Sequence, residues 1–336
     1  MRRRFAIYAL VAACAPRLLA TSGEVIVYSS VDDIFARPIC EQFQKETGIT
    51  TKLVPDTEET KSTGLLNRLI AEKNRPRADV FWSGDPVRAA ILKVKGVSAS
   101  YRSPNASGMP VQYSDPDGHW QSLSARARVI LYNKNVVKPG EEPKSMNDLI
   151  APQWKGKACV ANPLFGTTSM QAAAIFEVLG ERKAKGFFDA MTTNNVTMLS
   201  STGEVKRRVA TGEFAFGFAD TDDANEAMKE GKPIGVIFPD QDGIGTLIVP
   251  NAAVLIARGP NPENGRRFID YLLSAEVEKA LAESAAQMPL RPGVPVPANV
   301  KRVDEIKTMS VDYAKLGAQL DELSRGFLKA WVDQQK

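Results

Sequence analysis

Three carboxylates and a hydroxyl fall within four residues at Asp220, Thr221, Asp222 and Asp223. They follow the apolar run Phe214 to Phe218, which reads as a buried strand, and precede an Ala/Glu/Met/Lys run that favours helix. A strand turning straight into a helix places its polar junction at the carboxyl end of a sheet, where ligands sit in open α/β folds. Carboxylates there can hold a cationic group or a metal. A single aspartate such as Asp222 can equally cap the helix and complement its dipole, and both readings stand.

Hydroxyls recur at the other junctions. Ser29, Ser30, Ser62, Thr63, Thr167, Thr168, Ser201 and Thr202 all lie between a strand-like segment and a helix start, with Gly64 and Gly166 among them. Helix amino termini with such caps and glycine neighbours make oxyanion sites. Arg126, near Ser124, and Lys61 add positive charge. Each hydroxyl alone reads as an ordinary cap; their recurrence argues for an anion pocket. Beside an acidic cluster, that pocket suits a solute of both charges, such as an aminoalkylphosphonate. A phosphorylated sugar, or a metal with a bound anion, also fits.

The elements positioning these residues follow from periodicity. Glu24 to Ser30 is a strand, and Phe35, Ile39 and Phe43 mark an amphipathic helix ended by Gly48, with Pro38 expected in its first turn. Strands at 49–54 and 78–82 alternate with helices, the pattern of parallel βαβ units. Residues 97–120 are loop-rich, and 122–133 form a strand carrying Arg126 and Arg128. The alternation resumes from Lys157, with Ser201 and Glu204 spaced as a capping box. Strands at 233–238 and 246–257, two helices, a Pro-rich stretch at 289–300 and a helical tail complete the chain.

The 336 residues suggest two domains or lobes. Arg2, Arg3, Arg4 and Arg17 lie in a leader-like segment, residues 1–20; without them basic and acidic residues balance at 39 each, leaving no basic footprint for nucleic acid. The segment reads as an export signal. Either Cys14 ends a lipobox-like Val11-Ala12-Ala13-Cys14 and is lipidated, or cleavage falls near Ala20; Arg17 favours the first. The expected location is periplasmic or at the cell surface. No later stretch reads as a transmembrane helix. Cys40 and Cys159 could pair in an oxidising compartment, but their apolar settings read as two buried thiols.

The motifs ETGI, RADVFW, WKGK, ATGEFAF, FPDQDGIGT and QMPLRP, in that order, resemble the extracellular solute-binding proteins of ABC importers, in the branch of periplasmic ferric-ion-binding proteins. The resemblance spans about Glu24 to Arg291. It implies an α/β fold of two lobes (type II), each a mostly parallel sheet flanked by helices, joined by crossing hinge strands. By that analogy residues 24–122 and 253–292 form the first lobe and 128–248 and 297–336 the second, with hinges near 123–131 and 247–254. It implies a monomer that captures a small molecule and delivers it to a membrane permease and ATPase, with no cofactor. The iron ligands of the branch are a His, a Glu and two adjacent Tyr. Their positions fall at Asp32, near Thr63, and at Asp222 and Asp223. No metal is therefore expected; any ion would rest on Asp32, Asp222 and Asp223. An oxyanion-bearing solute, a phosphonate or phosphorylated compound, is the expected ligand, with ferric iron or another metal–anion pair as the alternative.

An enzyme is the rival from another class. His119 is the one histidine, in a turn-like setting, and neither a G-x-S-x-G elbow, an H-E-x-x-H nor a phosphate-binding loop occurs. A sensor that docks on a receptor would share the same sequence features as a transporter.

Overall fold

A computed structural model describes residues 23–57 and 62–335; the leader with Cys14, and Lys61, lie outside them. The first strands are β1 (Glu24–Ser29), β2 (Thr50–Pro55) and β3 (Val80–Ser83), parallel in the order β2-β1-β3. They are linked by α1 (Asp33–Thr47) and α2 (Thr63–Ala71), and α3 (Pro86–Val94) follows β3. In α1, Phe35, Ile39 and Phe43 are buried as their spacing requires, and Gly48 closes the helix at φ 71°. The helix begins at Asp33, so Pro38 falls inside it rather than in its first turn. The carbonyl of exposed Ile34 loses its helical donor there, where water can replace it.

After the short β4 (Ser98–Ala99), the 13-residue β5 (Gln121–Asn133) runs through the middle of the molecule. A second set of parallel strands lies beyond it: β6 (Ala158–Ala161), β7 (Thr197–Leu199) and β8 (Phe216–Asp220), ordered β8-β6-β7. Their helices are α4 (Gly166–Leu179), α5 (Glu181–Thr193), α6 (Thr202–Ala210) and α7 (Thr221–Lys229). β9 (Ile234–Ile237) and β10 (Ile248–Ile256) bring the chain back, followed by α8 (Pro262–Leu272), α9 (Ala275–Ala285) and β11 (Met288–Pro289). The tail is α10 (Tyr313–Arg325) and α11 (Phe327–Gln334); α10 packs against both α3 and α4.

The order β2-β1-β3-β10-β5-β8-β6-β7 puts antiparallel β10 and β5 between the two parallel sets. The first half of β5 pairs with β10 and β11, the second half with β8 and β9, so the frame changes over at Ala127 and Arg128. β10 carries a bulge between Pro250 and Ala252. Beside it Ser124 donates to Gln287 Oε1 at 2.5 Å, and Asn251 donates to Ser124 Oγ at 2.9 Å. These buried polar groups bond one another where the strands cross, while Asn251 Oδ1 has no partner among the described residues.

Two further local details differ from expectation. β8 starts two residues later than the aromatic run, because the turn at Gly212 (φ 82°) keeps Phe214 out of the ladder. Asp220 is thereby the strand's last residue, directly across from Arg128. At α6, Ser201 Oγ accepts from Glu204 N at 3.1 Å, but the Glu204 carboxylate accepts from Ser200 N and Oγ rather than from Ser201. The return half of the box is displaced by one residue. Cys40 and Cys159 are unpaired and buried; burial pushes the Cys40 thiol up to about 12.

Candidate functional site

The carboxyl ends of both parallel sets meet where β5 passes between them. Asp220, placed by β8 and its register with β5, accepts from Arg128 Nη1 at 2.6 Å through Oδ1 and from Arg126 Nη1 at 3.0 Å through Oδ2. Thr167 Oγ1 donates to the same carboxylate at 2.8 Å. Burial pushes the Asp220 carboxyl up, but Arg128, Arg126 and these hydrogen bonds carry it below the usual carboxylate range. Asp220 stays ionised in the interior because two guanidinium groups and a hydroxyl surround it.

Arg126 links the two halves of the molecule. Nη1 also contacts Asp222 Oδ2 at 3.3 Å, while Nη2 donates to Gly84 O at 2.5 Å, beyond β3. Burial works against its charge, but Asp222, Asp220, Asp223 and Asp85 more than offset this and raise its pKa. Its Nε is buried with no acceptor among the described residues.

A groove of about 950 Å³ opens beside this cluster. It brings together Asp32, Arg126, Ser201, Thr202, Asp222 and Asp223, six of the residues singled out by sequence. α6 contributes its start and Lys206, which bonds Glu226 and lies 4.0 Å from Asp223. Burial lowers the Lys206 pKa, yet the Glu226 bond and the nearby Asp223, Glu226 and Glu230 charges raise it overall. A helix amino terminus and five basic side chains, Arg126, Lys206, Arg207, Arg208 and Lys232, therefore share one concavity with three aspartates and three glutamates. Such a surface can take an oxyanion at one end and a cation at the other.

The remaining singled-out residues lie outside the groove. Ser29 Oγ donates to Trp82 O at 3.2 Å and accepts from Val31 N; Ser30 Oγ accepts from Gly84 N at 2.9 Å. Both tie β1 to β3. Ser62 has positive φ (67°) and makes no side-chain cap; Asp56 Oδ2 accepts from Leu65 N beside it, and Gly64 sits in that first turn of α2. Thr167 and Thr168 at the start of α4 accept from Arg128 at 3.0 and 3.4 Å, and Gly166 O accepts from Arg88. Ser124 belongs to the strand crossing. Thr221 accepts from Ala127 N at 3.3 Å and lines a separate concavity on the other side of α7. Asp223 accepts from Asp220 N at 3.3 Å, so the cap of α7 is Asp220, and Asp222 lies in the first turn. His119 bonds Ser98 Oγ at 2.9 Å through Nδ1.

Sequence reasoning missed Arg88 and Lys206. Arg88 is 1% exposed yet sits in the apolar run of α3, three residues after the cap Asp85. An arginine flanked by Pro86, Val87 and an Ala-Ala-Ile-Leu run was the available signal. Lys206 has none, because its partner Glu226 is twenty residues away on α7.

Asp220, Asp222 and Asp223 place one carboxylate oxygen each within 4.8 Å of the others, a spacing that would suit a metal ion. The Arg126 guanidinium already occupies the space between Asp220 and Asp222, so the donor set is matched by an internal cation.

Residues 39–308 match the family described as bacterial extracellular solute-binding protein. The chain is 29% identical over 309 residues to Iron uptake protein A1 of Synechocystis sp., covering 88% of this chain and 84% of that protein. It is 28% identical over 262 residues to the putative 2-aminoethylphosphonate-binding periplasmic protein of Salmonella typhimurium, covering 76% and 73%. The fold matches iron-bound HitA from Pseudomonas aeruginosa with a TM-score of 0.82 at 21% identity, over 90% of this chain and 98% of that one. The two sets of parallel strands are thus the two lobes of the type II binding-protein fold, with β5 and β10 crossing between them.

Proposed function

Because the chain belongs to the family of bacterial extracellular solute-binding proteins, we propose that it captures a small oxyanion-bearing solute, a phosphonate or phosphorylated compound, between its lobes. As a solute-binding protein of ABC import, it acts outside the cytoplasmic membrane and hands its ligand to a permease. The proposed working form is a monomer, with lobe boundaries at 24–122 with 253–292 and 128–248 with 297–336, and with Cys14 as lipid anchor.

The observation that carries the ligand class is the pairing of Arg126 with Asp222 at 3.3 Å on the wall of the groove. A solute bearing both an ammonium and an oxyanion replaces this internal pair by two external ones without changing the net charge of the site. The oxyanion takes Arg126 and the amide and hydroxyl donors at the start of α6, while the ammonium takes Asp222 and Asp223. Hydrogen bonds to charged groups are worth about 1.5–3 kcal/mol each, enough to give two such ends useful affinity.

The iron reading is the second candidate, supported by the close spacing of the three aspartates. It needs Arg126 to leave, which would strand a buried guanidinium, and burying an unpaired charge is costly. Calorimetric titration with inorganic phosphate, 2-aminoethylphosphonate, a sugar phosphate and ferric citrate tests both. Heat with ferric citrate alone would overturn the oxyanion proposal.

A further inference from the structure

The start of α3 and the start of α4 belong to different lobes, yet one side chain binds both. Arg88 Nη1 lies 3.4 Å from Asp85 Oδ2 and donates to Gly166 O at 3.2 Å. Its Nη2 donates to Ser169 Oγ at 2.6 Å and to Thr63 Oγ1 at 3.3 Å. Ser169 Oγ in turn donates to Gly166 O at 2.7 Å, and Thr63 Oγ1 lies 3.5 Å from Leu164 O. Three helix starts, α2 and α3 of the first lobe and α4 of the second, therefore converge on one guanidinium that is fully enclosed.

We propose that Arg88 is a positioning residue for ligand capture: it holds the lobes in their closed arrangement through α4, without itself touching the ligand.

The physics of a buried guanidinium supports this. Arg88 has one carboxylate within reach, at the long end of hydrogen-bonding distance, and Thr63 Oγ1 beside it; its Nε has no acceptor among the described residues, and the other two acceptors are Gly166 O and Ser169 Oγ of the second lobe. Separating α4 from α3 removes both acceptors at once and exposes the group to water. Within its own lobe only Asp85 and Thr63 remain. Arg88 is absent from the lining of the groove, whereas Arg126 is part of it. The two arginines thus have different tasks. Arg126 reads the ligand's charge, and Arg88 sets the fraction of molecules whose lobes are closed. A ligand that binds the closed form has its apparent affinity scaled by that fraction, whatever its chemistry. One charge-assisted hydrogen bond is worth about tenfold in such an equilibrium.

The affinity part of this inference rests on the groove being the ligand site; the closure part does not. Two variants of the mature protein test it. Ser169→Ala removes the shortest acceptor and changes no charge. Arg88→Met with Asp85→Asn removes the guanidinium and its carboxylate together. Small-angle scattering and amide hydrogen exchange are measured without ligand, then calorimetry with inorganic phosphate and 2-aminoethylphosphonate. The expected result is a larger radius of gyration and about tenfold faster exchange at residues 63–66 and 166–170. Protection in β1 and β3 stays at the wild-type level, which shows that the fold persists, and Arg88→Lys restores part of the closure. Both probes weaken by the same factor. Unchanged exchange and radius in Ser169→Ala and in the double variant overturn the proposal, as does selective weakening of one probe, which would place Arg88 on the ligand. If neither probe binds the wild type, the oxyanion reading fails while the scattering and exchange still decide the role of Arg88.

Discussion

Asp220 Oδ1 lies 2.6 Å from Arg128 Nη1, directly across the β8–β5 ladder, with both side chains buried. The same carboxylate holds Arg126, so one acidic group neutralises much of two guanidinium charges at the lobe crossing. Breaking a buried pair by removing one partner costs about 3–5 kcal/mol, because the other charge is left uncompensated. Asp220→Asn is expected to destabilise the protein by an amount in that range, read by urea unfolding at pH 7. A loss below about 1 kcal/mol would contradict the pairing.

The pH dependence follows with a definite sign. The folded-state pKa of Asp220 is lowered below the ordinary 3.8, so its contribution to stability is present above about pH 4 and is lost as pH falls through the folded value. The stability gap between wild type and Asp220→Asn is expected to narrow below pH 4, by up to about 1.4 kcal/mol per pH unit. A gap that widens in acid would show the carboxyl to be raised instead.

Ferric iron is expected to give no tyrosinate colour. The phenol nearest the β1 end, Tyr28, is 1% exposed, and its hydroxyl donates to Glu72 Oε2 at 3.1 Å. Burial, and then the Glu72 charge, push it up to about 12, so it resists giving up its proton. Visible absorbance after adding ferric citrate should stay at the level of the reagent. A charge-transfer band that disappears in Tyr28→Phe would sink this expectation.

The strand–helix alternation was legible because apolar spacing directly encodes which face of Phe35, Ile39 and Phe43 is buried. The acidic junction was legible too, since Asp220 to Asp223 are adjacent in sequence. The pairing that neutralises them was not. Arg126 and Arg128 approach Asp220 only through an antiparallel register more than ninety residues long-range, which no local pattern encodes. For the same reason the hydroxyls of Thr63, Thr167 and Thr168 read as ligand donors, whereas Arg88 and Arg128 engage them from elsewhere in the chain. Six of the singled-out residues do share the groove, because strand carboxyl ends converge in this topology whatever the side chains.

Gly217 marks the close approach that places α6. A Cβ there would lie 2.6 Å from Val205 Cγ1 and 2.8 Å from both the carbonyl oxygen and the sulfur of Cys159. The valine tip can yield, but the Cys159 carbonyl is fixed in β6. Gly217→Ala is expected to destabilise by about 1–3 kcal/mol, the usual range for overpacking, with a correspondingly lower Tm by calorimetry. A wild-type Tm would mean that β6 and α6 separate without cost.

Arg126 and Asp222 together are expected to sort ligands by charge in the groove. Arg126 Nη1 divides its attention between Asp220 at 3.0 Å and Asp222 at 3.3 Å. Asp220 is also held by Arg128 and Thr167, so Asp222 is the partner that a ligand can displace. Arg126→Ala removes the charged oxyanion donor and is expected to weaken inorganic phosphate and 2-aminoethylphosphonate alike, by about tenfold or more, since one hydrogen bond to a charged group is worth about 1.5–3 kcal/mol and 1.4 kcal/mol is one decade. Asp222→Asn acts differently on the two. It removes the carboxylate proposed to meet the ammonium, so the aminophosphonate is expected to weaken by about tenfold. It also frees Arg126 from a competing partner, so phosphate binds as well as before or better. The ratio of the two affinities is therefore the decisive quantity, measured by calorimetry at constant salt because exposed charges are screened. Equal weakening of both ligands by Asp222→Asn would reduce Asp222 to a helix-start residue with no part in recognition, and the two-charge ligand would have to be abandoned.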